Sequence, residues 1–92
     1  MDPFIKAVEE IVKEQQTIIG PLALEQAKRV KGLDLDLANH QVKFNGNKTD
    51  ILQHLVEQYR TFFGQASVQV CKDAAKSALS QMPPQEVPAL LK

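Results

Sequence analysis

The sequence predicts a mainly helical α+β domain in which two helical hairpins, one repeating the other, are joined by a β-hairpin. Three observations carry this. Between Asp50 and Ala78 the apolar residues recur at helical spacing on either side of Gly64. The same plan occurs earlier in the chain around Gly20, at a single offset of 44 residues. Between the two copies, from Leu33 to Phe44, the apolar period drops from that of a helix to that of a strand.

The later copy is the clearer one. Leu52, Leu55, Val56, Tyr59, Phe62 and Phe63 make one apolar stripe. Asp50 is the expected N-cap, with Gln53 three positions on as in a capping box and Thr49 as the alternative. Gly64 interrupts the run. A second helix is expected beyond it, with Ala66, Ser67, Val70, Cys71, Ala74, Ala75 and Ala78 forming a small-residue face suited to close helix packing, and Pro83 and Pro84 ending the helical unit near Met82. The repeat aligns Val12 with Val56, Thr17 with Thr61, Gly20 with Gly64 and Lys28 with Lys72. Apolar character is also kept at Ile11/Leu55, Ile18/Phe62, Ile19/Phe63, Leu24/Val68 and Ala27/Cys71, so the stripe itself is duplicated.

The first copy opens on Asp2 and Pro3, a capping carboxylate followed by a proline that loses no useful donor at the first helical position. Phe4, Val8, Ile11 and Ile18, with the adjacent Ile5, Val12 and Ile19, form its stripe. Gly20-Pro21 reads as a sharp corner, since a residue before proline is pushed out of the helical region; a kinked single helix is the alternative. Leu22, Ala23, Leu24, Ala27 and Val30 belong to the second helix, whose basic last turn, Lys28, Arg29 and Lys31, suits the helix dipole before a left-handed cap at Gly32.

In the hairpin, a two-residue turn at Asn39-His40 would set Leu37 against Val42, Leu35 against Phe44 and Asp36 against Lys43; a four-residue loop, Ala38 to Gln41, is the alternative. The expected organisation is a single domain over residues 1–82, made of a helical unit 2–31, a β-hairpin 33–44 and a helical unit 49–82, with 83–92 an extended or disordered tail.

Composition narrows the function classes. With 92 residues, 43% of them hydrophobic, the chain has room for one modest core. No run approaches the ~18 apolar residues of a membrane span, and the start lacks the basic-then-apolar pattern of a secretory signal, so a cytoplasmic protein with no membrane partner is expected. Eleven basic and eleven acidic residues give zero formal charge and no global field to recruit nucleic acid. A single cysteine leaves no internal disulfide framework and fits a reducing compartment.

The residues capable of chemistry read as structural. Asp50, His54 and Gln58 share a helix face, and Cys71 lies on the next helix, but one Asp-x-x-x-His pair without a second His or a Cys cluster falls short of a zinc pattern. Cys71 with His54 would be a nucleophile and base, yet its place on the small-residue face predicts burial as a compact hydrophobe. His40 is expected in a turn. Isolated glycines at element ends form no phosphate loop or dinucleotide fingerprint. No catalytic, cofactor or metal site is therefore expected. The cluster Lys28, Arg29 and Lys31 is the candidate contact for nucleic acid, although the order of helices and hairpin does not match a winged helix.

Ile18-Ile19-Gly20-Pro21-Leu22-Ala23, followed by Ala27-Lys28-Arg29, resembles the "IGP-(I/L)-A … (V/A)-K-R" segment of a small uncharacterised helical domain found at the ends of bacterial kinases and other signalling proteins. The likeness covers about a dozen residues, and the second copy has Gln65 where the first has Pro21. It implies an accessory signalling module and transfers no functional residue. The expected function is a small protein–protein interaction module, a homo-oligomeric adaptor or regulatory protein, with a small nucleic-acid binder as the alternative. Gly20, Pro21 and Gly64 are its structural corners. Leu33, Leu35, Leu37, Val42 and Phe44 are the candidate homodimer interface, because a lone hairpin has an apolar face and two edges to cover. Helix packing across a two-fold axis is the other route to the dimer, and a monomer whose own helices cover the hairpin is the alternative to it.

Overall fold

Asp2 opens the first helix as its side chain suggests: the carboxylate accepts the Phe4 N–H at 2.8 Å, and α1 runs Pro3–Ile19. The computed structural model describes residues 2–92. After α1 come α2 (Leu22–Lys28), the antiparallel strands β1 (Leu33–Asp36) and β2 (Gln41–Phe44), α3 (Lys48–Phe63) and α4 (Gln65–Leu79). The fold is thus mainly helical α+β, with helices paired as hairpins and one two-stranded sheet.

The two corners are built alike. Gly20 and Gly64 have φ of +67° and +84°, and a Cβ at either would meet nothing within 4 Å, so glycine is needed there for its backbone freedom and not for space. Gly20 N–H bonds Gln16 C=O at 3.0 Å and Gly64 N–H bonds Arg60 C=O at 2.8 Å; Ala23 and Ser67 N–H each bond their corner glycine's C=O at 3.1 Å. Even the threonine hydroxyls repeat, Thr17 donating to Lys13 C=O and Thr61 to Glu57 C=O.

Long-range bonds set the packing. Lys6 Nζ reaches Ser77 Oγ and Gln15 Nε2 reaches Ser67 C=O, so α1 and α4 lie antiparallel. Tyr59 Oη donates to Ala23 C=O and Gln58 Nε2 to Gln26 Oε1, so α2 and α3 do the same. Both glycine corners therefore fall at one end of the bundle. The β-hairpin sits at the other, where Lys48 at the start of α3 pairs with Asp2 at the start of α1. Ile11, Leu52, Leu55, Val56 and Tyr59 fill the centre with no exposure at all. Burying a side chain of this size stabilises by about 1.5–3 kcal/mol.

Several expectations are corrected. Asn47, not Asp50 or Thr49, caps α3: its side chain accepts Asp50 N–H at 3.0 Å, which places Asp50 in the first turn. α2 stops at Lys28, and Gly32, at φ +86°, turns the chain into β1 four residues later. A Cβ on Gly32 would lie 2.8 Å from Asn45 C=O, and the Asn45 N–H bonds Gly32 C=O at 2.7 Å, so this close approach ties the two ends of the hairpin together.

The hairpin register pairs Leu33 with Phe44, Asp34 with Lys43, Leu35 with Val42 and Asp36 with Gln41. Its loop is Leu37–His40, a 3-10 turn in which the Asp36 carboxylate accepts both Asn39 N–H and Asn39 Nδ2, with His40 left-handed at φ 53°. The expected pairing is thus shifted by two residues, and Asp36 does not face Lys43. On α4 the buried side is Ser67, Val68, Cys71, Ala75 and Ala78, whereas Ala66 is exposed and Val70 and Ala74 are half-buried. Ile18, placed on the stripe by its spacing, is 57% exposed.

Residues 83–92 do not form an extended or disordered tail. Two 3-10 turns, Pro84–Glu86 and Ala89–Leu91, lay this segment along α3 and α4, with Pro88 and Leu91 buried. Thr49 Oγ1 donates to Glu86 C=O at 2.8 Å, and Gln53 Oε1 accepts Leu90 N–H at 3.0 Å. The apolar gain from Pro88 and Leu91, hidden in the sequence by the surrounding prolines, offsets the ordering of the segment.

Candidate functional site

The hairpin face, first candidate for an interface, is covered by the chain itself. Leu33 and Val42 are buried, and Leu35, Leu37 and Phe44 are half-buried against the core. The Phe44 ring meets Phe4 edge-on at 6.3 Å, and the Lys48 ammonium stands 5.9 Å and 5.8 Å from the two ring centres. α1 and α2 thus supply the cover that a second chain was expected to give, and this surface offers a partner little apolar area.

The corner end is different. Ile18, Leu22 and Phe62 are the exposed large hydrophobics among the described residues, at 57%, 46% and 53%, and all three flank the glycine corners. Ile18 and Phe62 are equivalent positions of the repeat. Beneath them, two buried polar side chains latch the copies together. Gln15 Nε2 bonds Ser67 C=O at 3.3 Å and Tyr59 Oη bonds Ala23 C=O at 2.6 Å, and the donors and the acceptors are each 44 residues apart. The last turn of each long helix therefore holds the first turn after the other copy's corner. Sequence reasoning missed this pair because glutamine and tyrosine do not look alike, although the offset places them together.

Beside Ile18 lies an open groove of about 270 Å³ lined by Glu14, Val70, Asp73 and Ala74. Glu14 and Ile18 of α1 form one wall of this groove, and the edge of α4 expected to pack on another helix forms the other, with Val70 and Ala74 left half-buried. A larger open groove, about 540 Å³, runs between the outer face of α1 and the hairpin loop, lined by Lys6, Glu9, Glu10, Lys13, Gln16, Leu37 and His40. His40 Nδ1 lies 3.5 Å from Glu9 Oε2 there. Its mixed charges and lack of a buried polar anchor give it no evident chemistry.

The remaining candidates are kept apart. Asp50 and His54 are exposed on α3, Gln58 is half-buried and bonded to Gln26, and Cys71 is fully buried. No three potential metal ligands of the His, Cys, Asp and Glu types cluster among the described residues. Burial pushes the Cys71 thiol up to about 11, only partly countered by the 3.5 Å contact from Gln15 Nε2, so the thiolate is scarce at neutral pH. Burial likewise raises the Tyr59 hydroxyl well above its ordinary value, with Cys71 adding to the shift. Lys28, Arg29 and Lys31 are exposed around the end of α2. The Asp36 carboxyl is held below its ordinary range first by the Asn39 side chain and least by the charge of Lys28. No helix among the described residues is long and apolar enough to cross a membrane.

Comparison of the chain with family models, with curated proteins and with solved structures finds no match.

Proposed function

We propose that this chain is a protein–protein interaction module that self-associates as a homodimer through its corner end, in an adaptor or regulatory role. The observation that supports it is the concentration of the exposed Ile18, Leu22 and Phe62 at that end, while the apolar side chains of the hairpin are buried or half-buried. The edge of α4 beside Ile18 carries Ala66, Val70 and Ala74, small enough for a second helix to approach closely across a two-fold axis. The likeness of Ile18–Arg29 to an accessory segment of bacterial signalling proteins points the same way.

Light scattering tests the reading. At micromolar concentration the mass should be twice the 10.3 kDa of one chain, and Ile18→Glu should return it to one chain with the helical circular dichroism unchanged. A mass of one chain that does not rise with concentration overturns the proposal.

A further inference from the structure

Residues 86–91 are held against α3 and α4 in the way a protein holds a linear peptide. The body contributes side chains: the Thr49 hydroxyl reads the Glu86 carbonyl and the Gln53 amide oxygen reads the Leu90 N–H, at 2.8 Å and 3.0 Å. Thr49 and Gln53 are one helical turn apart on α3, and the backbone groups they read are also four residues apart, so groove and segment run parallel in matched register. Pro88, between these two bonds, and Leu91, just beyond the second, are buried while Ala89 is exposed, an arrangement of anchors and an outward-facing position. The bonds the segment makes with its own backbone are local, Glu86 N–H to Pro83 C=O and Leu91 N–H to Pro88 C=O. Upstream, Pro83 has φ −58° and ψ 139°, the extended polyproline conformation, and Pro84 follows it.

We propose that the groove between α3 and α4 is a docking site for a linear apolar segment, and that residues 86–91 of a second copy of this chain enter it when the chain's own segment swings out about Pro83-Pro84. The second copy is the occupant the structure favours, because its segment is chemically identical to the one seated here and remakes the Thr49, Gln53, Pro88 and Leu91 contacts unchanged. Exchange of an identical element between protomers is a low-cost route to a dimer. A proline pair at the hinge suits it, since an extended, stiff link leads away from the body as readily as back onto it. This deepens the self-association reading but uses a surface separate from the corner end.

The test uses the full chain and a fluorescent peptide with the sequence of residues 84–92, followed by anisotropy. Leu91→Asp in the full chain weakens its own segment's hold and should let the peptide bind saturably. The wild-type chain should bind it about tenfold more weakly or worse, because the tethered segment competes at high effective concentration. A peptide carrying the same Leu91→Asp change should not bind either chain. Leu91→Ala is the milder companion variant, in case the charged one does not fold. Failure of a folded variant to bind the peptide, equal binding of both peptides, or unfolding of both variants, which would make the segment a fixed part of the core, overturns the proposal. Ile18→Glu should leave peptide binding to the Leu91→Ala chain unchanged, so the corner-end dimer and the exchanged segment can fail independently.

Discussion

The two ends of the bundle solve the same problem differently. At the hairpin end the link from Lys28 to Lys48 is long enough to fold back, and it brings Leu33, Val42 and Phe44 over the apolar side chains of α1 and α2. At the corner end each link is a glycine, or a glycine and a proline, and no chain is left to lie over Ile18, Leu22 and Phe62. Connection length decides which end of a helical bundle is sealed. A tight corner fixes the angle between two helices precisely, through one positive φ and one repeated set of backbone bonds, but it leaves the helix ends bare.

The largest expected contrast follows directly. Leu33→Ala at the hairpin end removes a buried side chain and should cost about 2–5 kcal/mol in urea melts. Ile18→Ala at the corner end, measured at a dilution where the chain is monomeric, should change stability by no more than about 0.5 kcal/mol. Equal losses at the two sites would mean that the ends do not differ in cover.

A finer contrast lies along α4, which spans the bundle from one end to the other. Ala75 has no exposure and faces the core, so Ala75→Leu should overpack it and cost about 1–3 kcal/mol. Ala74, one residue away, lines the open groove beside Ile18, so Ala74→Leu should fold with stability changed by less than about 0.5 kcal/mol and should alter the mass seen by light scattering instead. Urea melts of the pair, run at one concentration, check both statements. Reversal of the order would show that the buried face of α4 is misassigned.

The corners, the duplicated stripe and the mixed fold class are legible in the sequence because each rests on period or on a residue with restricted backbone geometry. What the sequence does not decide is whatever period leaves degenerate. A one-residue slip of the hairpin would have turned Leu35 and Val42 outward, but a slip of two keeps every apolar residue on its face, so alternation cannot choose between the registers. The choice falls to the Asp36 carboxylate gripping Asn39. The orientation of α4 is hidden for a similar reason: small residues at 66, 67, 70, 71, 74, 75 and 78 cover two adjacent faces, with too little polar contrast to say which one is buried. The cap of α3 was displaced by three positions because Asn47 and Asp50 both carry suitable oxygens. The equivalence of Gln15 and Tyr59 lies in the offset alone, since their side chains share only a polar tip that can reach a carbonyl. The apolar face of the hairpin gives no sign in the sequence of whether its own chain or another will cover it, and here α1 and α2 cover Leu33 and Val42.

The smallest expected effect separates the ends by charge. Asp2 and Lys48 pair at the hairpin end, partly exposed, and no lysine or arginine among the described residues pairs with a carboxylate at the corner end. Burial alone would raise the Asp2 carboxyl, but the Lys48 hydrogen bond, then the Phe4 and Ile5 N–H groups and the Lys48 charge, outweigh it and hold the group below its ordinary value of 3.8. The unfolded chain therefore takes up the proton at higher pH than the folded one does. The resulting stability is present above the ordinary value and is lost as pH falls through the lowered one. For a partly exposed pair the Lys48 share should be no more than about 1 kcal/mol, and salt should reduce it. Lys48→Met keeps an apolar cover over Phe4 and Phe44 while removing the charge, so it should cost up to that share at neutral pH and little at pH 2, flattening the acid limb of the stability curve. The association at the corner end rests on apolar contact and should be as strong at high salt as at low. Urea melts from pH 2 to 7 at two salt concentrations, with light scattering at the same two, measure both halves of the contrast. An acid limb that survives Lys48→Met intact would place the charge effect elsewhere in the molecule.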